Sequence, residues 1–167
     1  RLAHTLNRFQ GGGKLYVVPF QNIQVAIRDH CTDSNRVVLY RRMMYRIAHA
    51  LAELKSCQGL VTGESVGQVA SQTLKNLMAV SCVVPMSVFR PLIGMNKQEI
   101  ITQAKKIGTY DISIEPQPDC CSVFMPDHPS TNCKIKYLEA DERLYPWEEL
   151  KSSALDSVET IDLDDLD

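Results

Sequence analysis

The stretch LVTGESVGQVASQT (60–73) decides how this chain is read. GLVTGES (59–65) has the length and β-branched character of a short strand, ending in Thr62-Gly63. A helix is expected next, from Ser65 to Met78, with Val66, Val69, Ala70, Thr73 and Leu77 turned inward. At such a junction Gly63 lets a ligand approach the main chain closely. The new helix offers unpaired N–H groups to an anion or a polar ring, and Gln68, Ser71 and Gln72 add side-chain donors and acceptors. The same residues also read as a plain strand–helix turn with Ser65 as its cap.

Working outward, KLYVVPF (14–20) is a continuous apolar run and reads as a buried strand, followed by a short helix over 21–30. A longer helix begins at Asn35, where Tyr40, Met43, Met44, Ile47, Leu51 and Leu54 recur at three- and four-residue steps. VVPMSVFRPLIG (83–94) holds a strand and its exit loop. Asn96 caps the helix that follows, Glu99 completes a capping box, and Gly108 stops it. Residues 1–9 read as the end of a helix stopped by Gly11–Gly13, and 134–157 as charged and helical. The alternation of strand and helix predicts an α/β fold with a mostly parallel sheet. Ligands of such sheets sit beyond the carboxyl ends of the strands, where the TGES and FRPLIG loops fall. One domain is expected over 1–150, with 151–167 as a frayed acidic tail.

Composition narrows the function classes. The 167 residues are 44% hydrophobic and 23% charged, with a net charge of −2, so no strong positive field points to nucleic-acid binding by this stretch itself. No apolar run approaches the roughly 18–20 residues that span a bilayer, and 1–10 is too polar for a signal peptide. The six cysteines (31, 57, 82, 120, 121 and 133) are irregularly spaced, which favours free thiols in a reducing cytoplasm. Cys57 and Cys82 lie beside apolar segments and are expected to be buried.

Four features could carry chemistry. In LYRRMMYR (39–46), Arg41, Arg42 and Arg46 suit phosphate, or form a solvated helix face. Lys97 stands in the first turn of a helix, where the macrodipole disfavours a cation; it pairs with a ligand anion or is an exposed lysine without a role. Arg90 lies in the same segment. The Pro-rich loop EPQPDCCSVFMPDHP (115–129) carries the vicinal pair Cys120 and Cys121, open to reading as a staple, a metal site or a reactive thiol. Zinc held by Cys120, Cys121, His128 and Cys133 is conceivable, but adjacent cysteines rarely face one metal and no CxxC is present, so no metal is assigned. There is no Ser-His-Asp pattern and no Walker A sequence.

Three strings, LVTGESVGQVASQTLKNL (60–77), FRPLIGMNKQEIITQAKKIGTYDISI (89–114) and PDCCSVFMPDHPST (118–131), together resemble the carboxyl half of the PP-loop domain of the ThiI family, the tRNA 4-thiouridine synthetases. The resemblance implies a Rossmann-like, adenine nucleotide alpha hydrolase-like α/β fold, truncated here on its amino-terminal side. It implies an enzyme that uses ATP with Mg2+ to adenylate a tRNA uridine and then replaces the activated oxygen with sulfur, delivered as a persulfide by a cysteine desulfurase. On the family's motifs, Arg41, Gly63 and Gln72 fall on nucleotide-contacting positions, Lys97 on a lysine implicated in activation, and Cys120 on the catalytic cysteine, with Cys121 beside it.

The family's SGGxDS pyrophosphate loop is absent from this sequence, as are its amino-terminal tRNA-docking regions. The chain is therefore expected to be a fragment with about half of an ATP site, inactive alone and prone to pair as a homodimer that covers an exposed sheet edge. The resemblance also implies a link to sulfur supply for the thiamine thiazole. A degenerate, non-catalytic nucleotide-binding or interaction module of the same fold is the other reading.

Overall fold

The computed structural model describes residues 1–116 and 124–165. In chain order the elements are α1 (Leu2–Asn7), β1 (Lys14–Val17), α2 (Gln21–His30), α3 (Arg36–Leu54), β2 (Gly59–Val61), α4 (Leu74–Ser81), β3 (Ser87–Phe89), α5 (Lys97–Lys106), α6 (Tyr110–Ser113), α7 (Ile135–Glu142), α8 (Trp147–Asp156) and β4 (Glu159–Asp162). Among the described residues no helix is long and apolar enough to cross a membrane.

The long helix α3 is the axis of the core. Val38, Leu39, Tyr40, Met43 and Ile47 are buried along it and meet Ile23 and Ile27 of α2, Ala79 and Val80 of α4, and Leu138 of α7. Each fully buried side chain of this size contributes about 1.5–3 kcal/mol through removal from water, so this cluster dominates the fold's stability. The expected apolar face of α3 is realised except at its edges. Met44 and Leu54 are exposed, Leu54 because it is the last helical residue.

The strands depart from expectation. The described residues form two two-stranded sheets rather than one mostly parallel sheet. β2 and β3 are parallel, pairing Gly59 with Ser87 and Val61 with Phe89. A Cβ on Gly59 would lie 2.9 Å from the Phe89 ring, so glycine permits this close approach. The exposed side chains of Val61 (72%) and Phe89 (60%) flank the carboxyl end of this pair. β1 is not buried: Lys14, Leu15 and Val17 are exposed, and the strand pairs antiparallel with β4. Sheet partners are non-local, and an apolar run does not show whether a second layer covers it. The same pairing corrects the frayed tail, because 151–156 completes α8 and Glu159–Asp162 forms β4.

The helix expected from Ser65 begins only at Leu74. Gly67 adopts φ +78°, a left-handed conformation that breaks a helix there. A single 3-10 turn (Ala70–Gln72) follows, and Val66 and Val69 stay exposed. The cap is Thr73, whose side chain accepts from the Asn76 N–H, and not Ser65. The capping box of α5 is present as expected, with the Asn96 side chain accepting from Gln98 and Glu99 N–H and the Glu99 carboxylate accepting from Asn96 N–H. Cys57 and Cys82 are exposed rather than buried, since each follows the end of a helix, while Cys31 and Cys133 are buried.

Candidate functional site at the carboxyl end of the parallel strand pair

Where β2 ends against α3, the chain forms an open cavity of about 330 Å3. Met44, Ala48 and Leu60 give it apolar walls, and Arg41, Gly63, Glu64 and Gln72 give it polar groups. This is the strand-end position at which α/β folds bind ligands. A few convergent polar groups on an apolar surface are the usual make-up of a small-molecule site.

Each polar residue is held by an identifiable device. Thr62 N–H donates to the Phe89 carbonyl at 2.9 Å, extending the β2–β3 ladder by one residue and fixing where the turn begins. Nothing lies within 4 Å of a Cβ built on Gly63, so the main chain there is open to a ligand. Gln72 folds back on the turn. Its side-chain oxygen accepts from Ser65 N–H at 2.9 Å, and its carbonyl accepts from Gly67 N–H at 3.1 Å. The Ser65 hydroxyl donates to the Met95 carbonyl at 2.8 Å, and Val66 N–H donates to the Ile93 carbonyl at 3.1 Å. These bonds tie the TGES loop to the segment that leads into α5.

Glu64 is the centre of the arrangement and is only 3% exposed. One carboxylate oxygen accepts from Arg41 Nη2. The other accepts from the Tyr45 hydroxyl at 2.6 Å, from Arg90 Nε at 2.7 Å and from the Thr62 hydroxyl at 3.1 Å. Burial pushes the Glu64 carboxyl up, but the hydrogen bonds from Tyr45, Arg90 and Arg41 outweigh it and hold the group below the usual carboxylate range. Burial likewise lowers the Arg90 guanidinium, and the bond to Glu64 more than reverses this. With two guanidinium groups against one carboxylate, the cluster keeps one net positive charge beside the cavity.

The sequence-predicted residues separate into three groups. Arg41, Gly63 and Gln72 line the one cavity. Lys97 does not line it. It is exposed as the first residue of α5, two positions after Met95, whose carbonyl holds Ser65. Cys120 and Cys121 lie outside the described residues. His128 and Cys133 join no group of three or more potential ligands among the described residues.

Arg42 and Arg46 serve neither phosphate nor a solvated face. Arg42, 2% exposed, donates from Nε and Nη2 to the two oxygens of Glu142 at 2.7 and 2.8 Å, and from Nη1 to the Ala79 carbonyl at 2.6 Å. Arg46 donates to the same carboxylate at 2.6 and 3.0 Å and stacks on Trp147, 4.4 Å from the ring centre. The sequence alone gives no role to Glu64, Tyr45 or Glu142, and none to Arg90 beyond its place in the segment of Lys97. The one available signal was an acidic residue in a strand-end turn of a chain with arginines at two neighbouring positions.

The chain matches the family model described as Thiamine biosynthesis protein (ThiI) over residues 1–145. It is 44% identical over 160 residues to a probable tRNA sulfurtransferase of Moorella thermoacetica, and 46% identical over 160 residues to one of Thermus thermophilus. Each alignment covers 96% of this chain but only 41% and 39% of those relatives, so the chain spans about two-fifths of their length. A crystal structure of a 4-thiouridine synthetase–RNA complex with bound ATP superposes with a TM-score of 0.89 at 37% identity, over 95% of this chain and 42% of that one. With this match over most of its length, and with close likeness in both sequence and fold to such enzymes, the chain belongs to the ThiI family.

Proposed function

We propose that the protein carrying this chain is an ATP-dependent tRNA sulfurtransferase that makes 4-thiouridine, and that the strand-end cavity is part of its ATP site. The observation that carries this reading is the convergence of Arg41, Gly63 and Gln72 on one cavity. The residues fit a nucleotide. Arg41 presents a fixed guanidinium to an anion, and its Nε is buried without a partner. Gly63 leaves the main chain open, and the apolar wall suits a planar base.

ATP, when bound, supplies the adenylyl group that turns the uridine oxygen into a leaving group. Arg41 holds phosphate and stabilises the charge that develops on it, and Gln72 holds the turn that shapes the pocket. Lys97, in the first turn of α5, adds a second cation for the activated phosphate. Mg2+ enters with ATP in this reading. The oxygens of Glu64 are already occupied by Arg41, Tyr45, Thr62 and Arg90, so Glu64 is not its ligand. Cys120 accepts sulfur as a persulfide from a cysteine desulfurase, with Cys121 as its neighbour. The setting is the cytoplasm, where the same persulfide can also serve thiamine thiazole synthesis.

The test is reconstitution of the intact protein with tRNA, ATP, a cysteine desulfurase and cysteine, reading 4-thiouridine in digested tRNA by mass spectrometry. ATP-dependent product is expected, reduced strongly by Arg41→Ala. A protein that binds ATP yet forms no product would favour the non-catalytic module.

A further inference from the structure

Glu64 has no role in the reading above, yet it is the best-connected buried acid in the site. It receives donors from three separate pieces of the fold: Arg41 and Tyr45 from α3, Thr62 from the end of β2, and Arg90 from the end of β3. Arg90 Nη2 also donates to the Tyr45 hydroxyl at 3.2 Å, which closes the ring of donors. A carboxylate so placed costs more to bury than a neutral residue, and two strand ends and a helix converge to compensate it. An isolated structural tie between β2 and α3 would not need this many partners.

We infer that Glu64 is a positioning residue for the nucleotide site: it fixes the side chain of Arg41 so that its guanidinium meets phosphate without further ordering. Arg41 is a long side chain with several rotatable bonds, and unrestrained it would lose rotamer freedom on each binding event. The backbone of α3 is already set by Arg42, which is locked on the far side by Glu142 and the Ala79 carbonyl. Only the Arg41 side chain is left to place, and Glu64 places it. Arg90 and Tyr45 hold the other carboxylate oxygen, so that Glu64 itself does not swing with the arginine.

This inference rests on the ATP reading of the cavity, and one experiment separates the two. ATP affinity of the intact protein is measured by calorimetry for wild type, Arg41→Ala, Glu64→Gln and the double variant, with kcat and KM for ATP in the thiolation assay. If Glu64 acts through Arg41, each single variant weakens ATP binding about tenfold and the double variant is no weaker than Arg41→Ala alone. Glu64→Gln then raises KM for ATP by a similar factor and changes kcat far less. Independent, multiplying losses, or an unchanged ATP affinity in Glu64→Gln, overturn the inference while leaving the ATP site standing. Wild-type protein that does not bind ATP overturns both. Should Glu64→Gln not fold, Glu64→Asp replaces it in the same cycle. It keeps the charge but reaches less far, and an intermediate loss that vanishes in the Arg41→Ala background is the expected result.

Discussion

Arg41 and Arg42 are neighbours on α3 yet bind opposite carboxylates: Arg41 reaches Glu64 at the strand end, and Arg42 reaches Glu142 at the end of α7. Successive helical residues diverge by about 100°, so one arginine faces the cavity while the next is driven into the core. The pair thus divides one local motif between a cavity-lining position and a core ion pair.

The structural half can be tested first. Glu142 is 5% exposed and receives both Arg42 and Arg46, so removing it strands two cations, one of them in the core. Breaking such a buried pair from one side typically costs about 3–5 kcal/mol. Glu142→Ala is expected to lower unfolding stability by an amount in that range in denaturant titrations. The joint Arg42→Met, Glu142→Leu change should cost less, because it leaves only the partly exposed Arg46 without its carboxylate and no unpaired charge in the core. Equal losses in the two variants would show that packing, not charge, sets the effect.

The same acids give a pH signature. At Glu142, burial pushes the carboxyl up and the bonds from Arg42 and Arg46 overcome it, so its folded-state pKa is depressed, as at Glu64. An unfolded glutamate titrates near ~4.3. A group with a lowered folded pKa therefore stabilises the fold above about pH 4.3 and loses that contribution as pH falls through the folded value. Urea midpoints should be insensitive to these two groups from about pH 6 to 8 and fall on further acidification. In Glu142→Gln the acid slope should be shallower; an unchanged slope would mean that other carboxyls dominate.

What the sequence made legible was local. α2 and the capping box of α5 lie within a few residues of the signals that specify them, and both appear as read. The helix from Ser65 failed because apolar spacing says nothing about the φ of Gly67. The family motifs singled out Arg41, Gly63 and Gln72 as nucleotide-contacting positions, and the fold brings these three to one cavity, but the motifs gave no hint of the carboxylate behind them. Glu64 meets its arginines from 23 and 26 residues away, and Arg42 meets Glu142 across 100. Such pairings are set by tertiary packing and leave no periodic trace.

Thiol chemistry separates the described cysteines. Burial, reinforced by Asp141 and Glu142, pushes the Cys31 thiol up to about 12, and burial also raises Cys133. Neither supplies appreciable thiolate at neutral pH. Cys57 and Cys82 are exposed. With iodoacetamide at about pH 8, peptide mapping should show Cys57 and Cys82 modified first, and Cys31 and Cys133 only after denaturant is added. Rapid modification of Cys31 in the folded protein would contradict its placement in the core.

The proposed sulfur-relay role of Cys120 concerns the segment that precedes residues 130–133, which are bonded to the fold next to the cavity. The Thr73 hydroxyl, next to Gln72, donates to the Thr131 carbonyl at 2.8 Å. Asn76 donates to the Ser130 carbonyl at 2.8 Å and accepts from Cys133 N–H at 2.9 Å. Residues 130–133 therefore pack within one residue of a cavity-lining side chain. In the reconstituted assay Cys120→Ala is expected to abolish 4-thiouridine while ATP affinity stays within about twofold of wild type. Cys121→Ala should retain measurable thiolation, because attack needs one nucleophile and a bridge between adjacent cysteines is strained. An active Cys120→Ala beside a dead Cys121→Ala would move the nucleophile to the second sulfur. Loss of ATP binding in both would mean that the pair supports the nucleotide site rather than the transfer of sulfur.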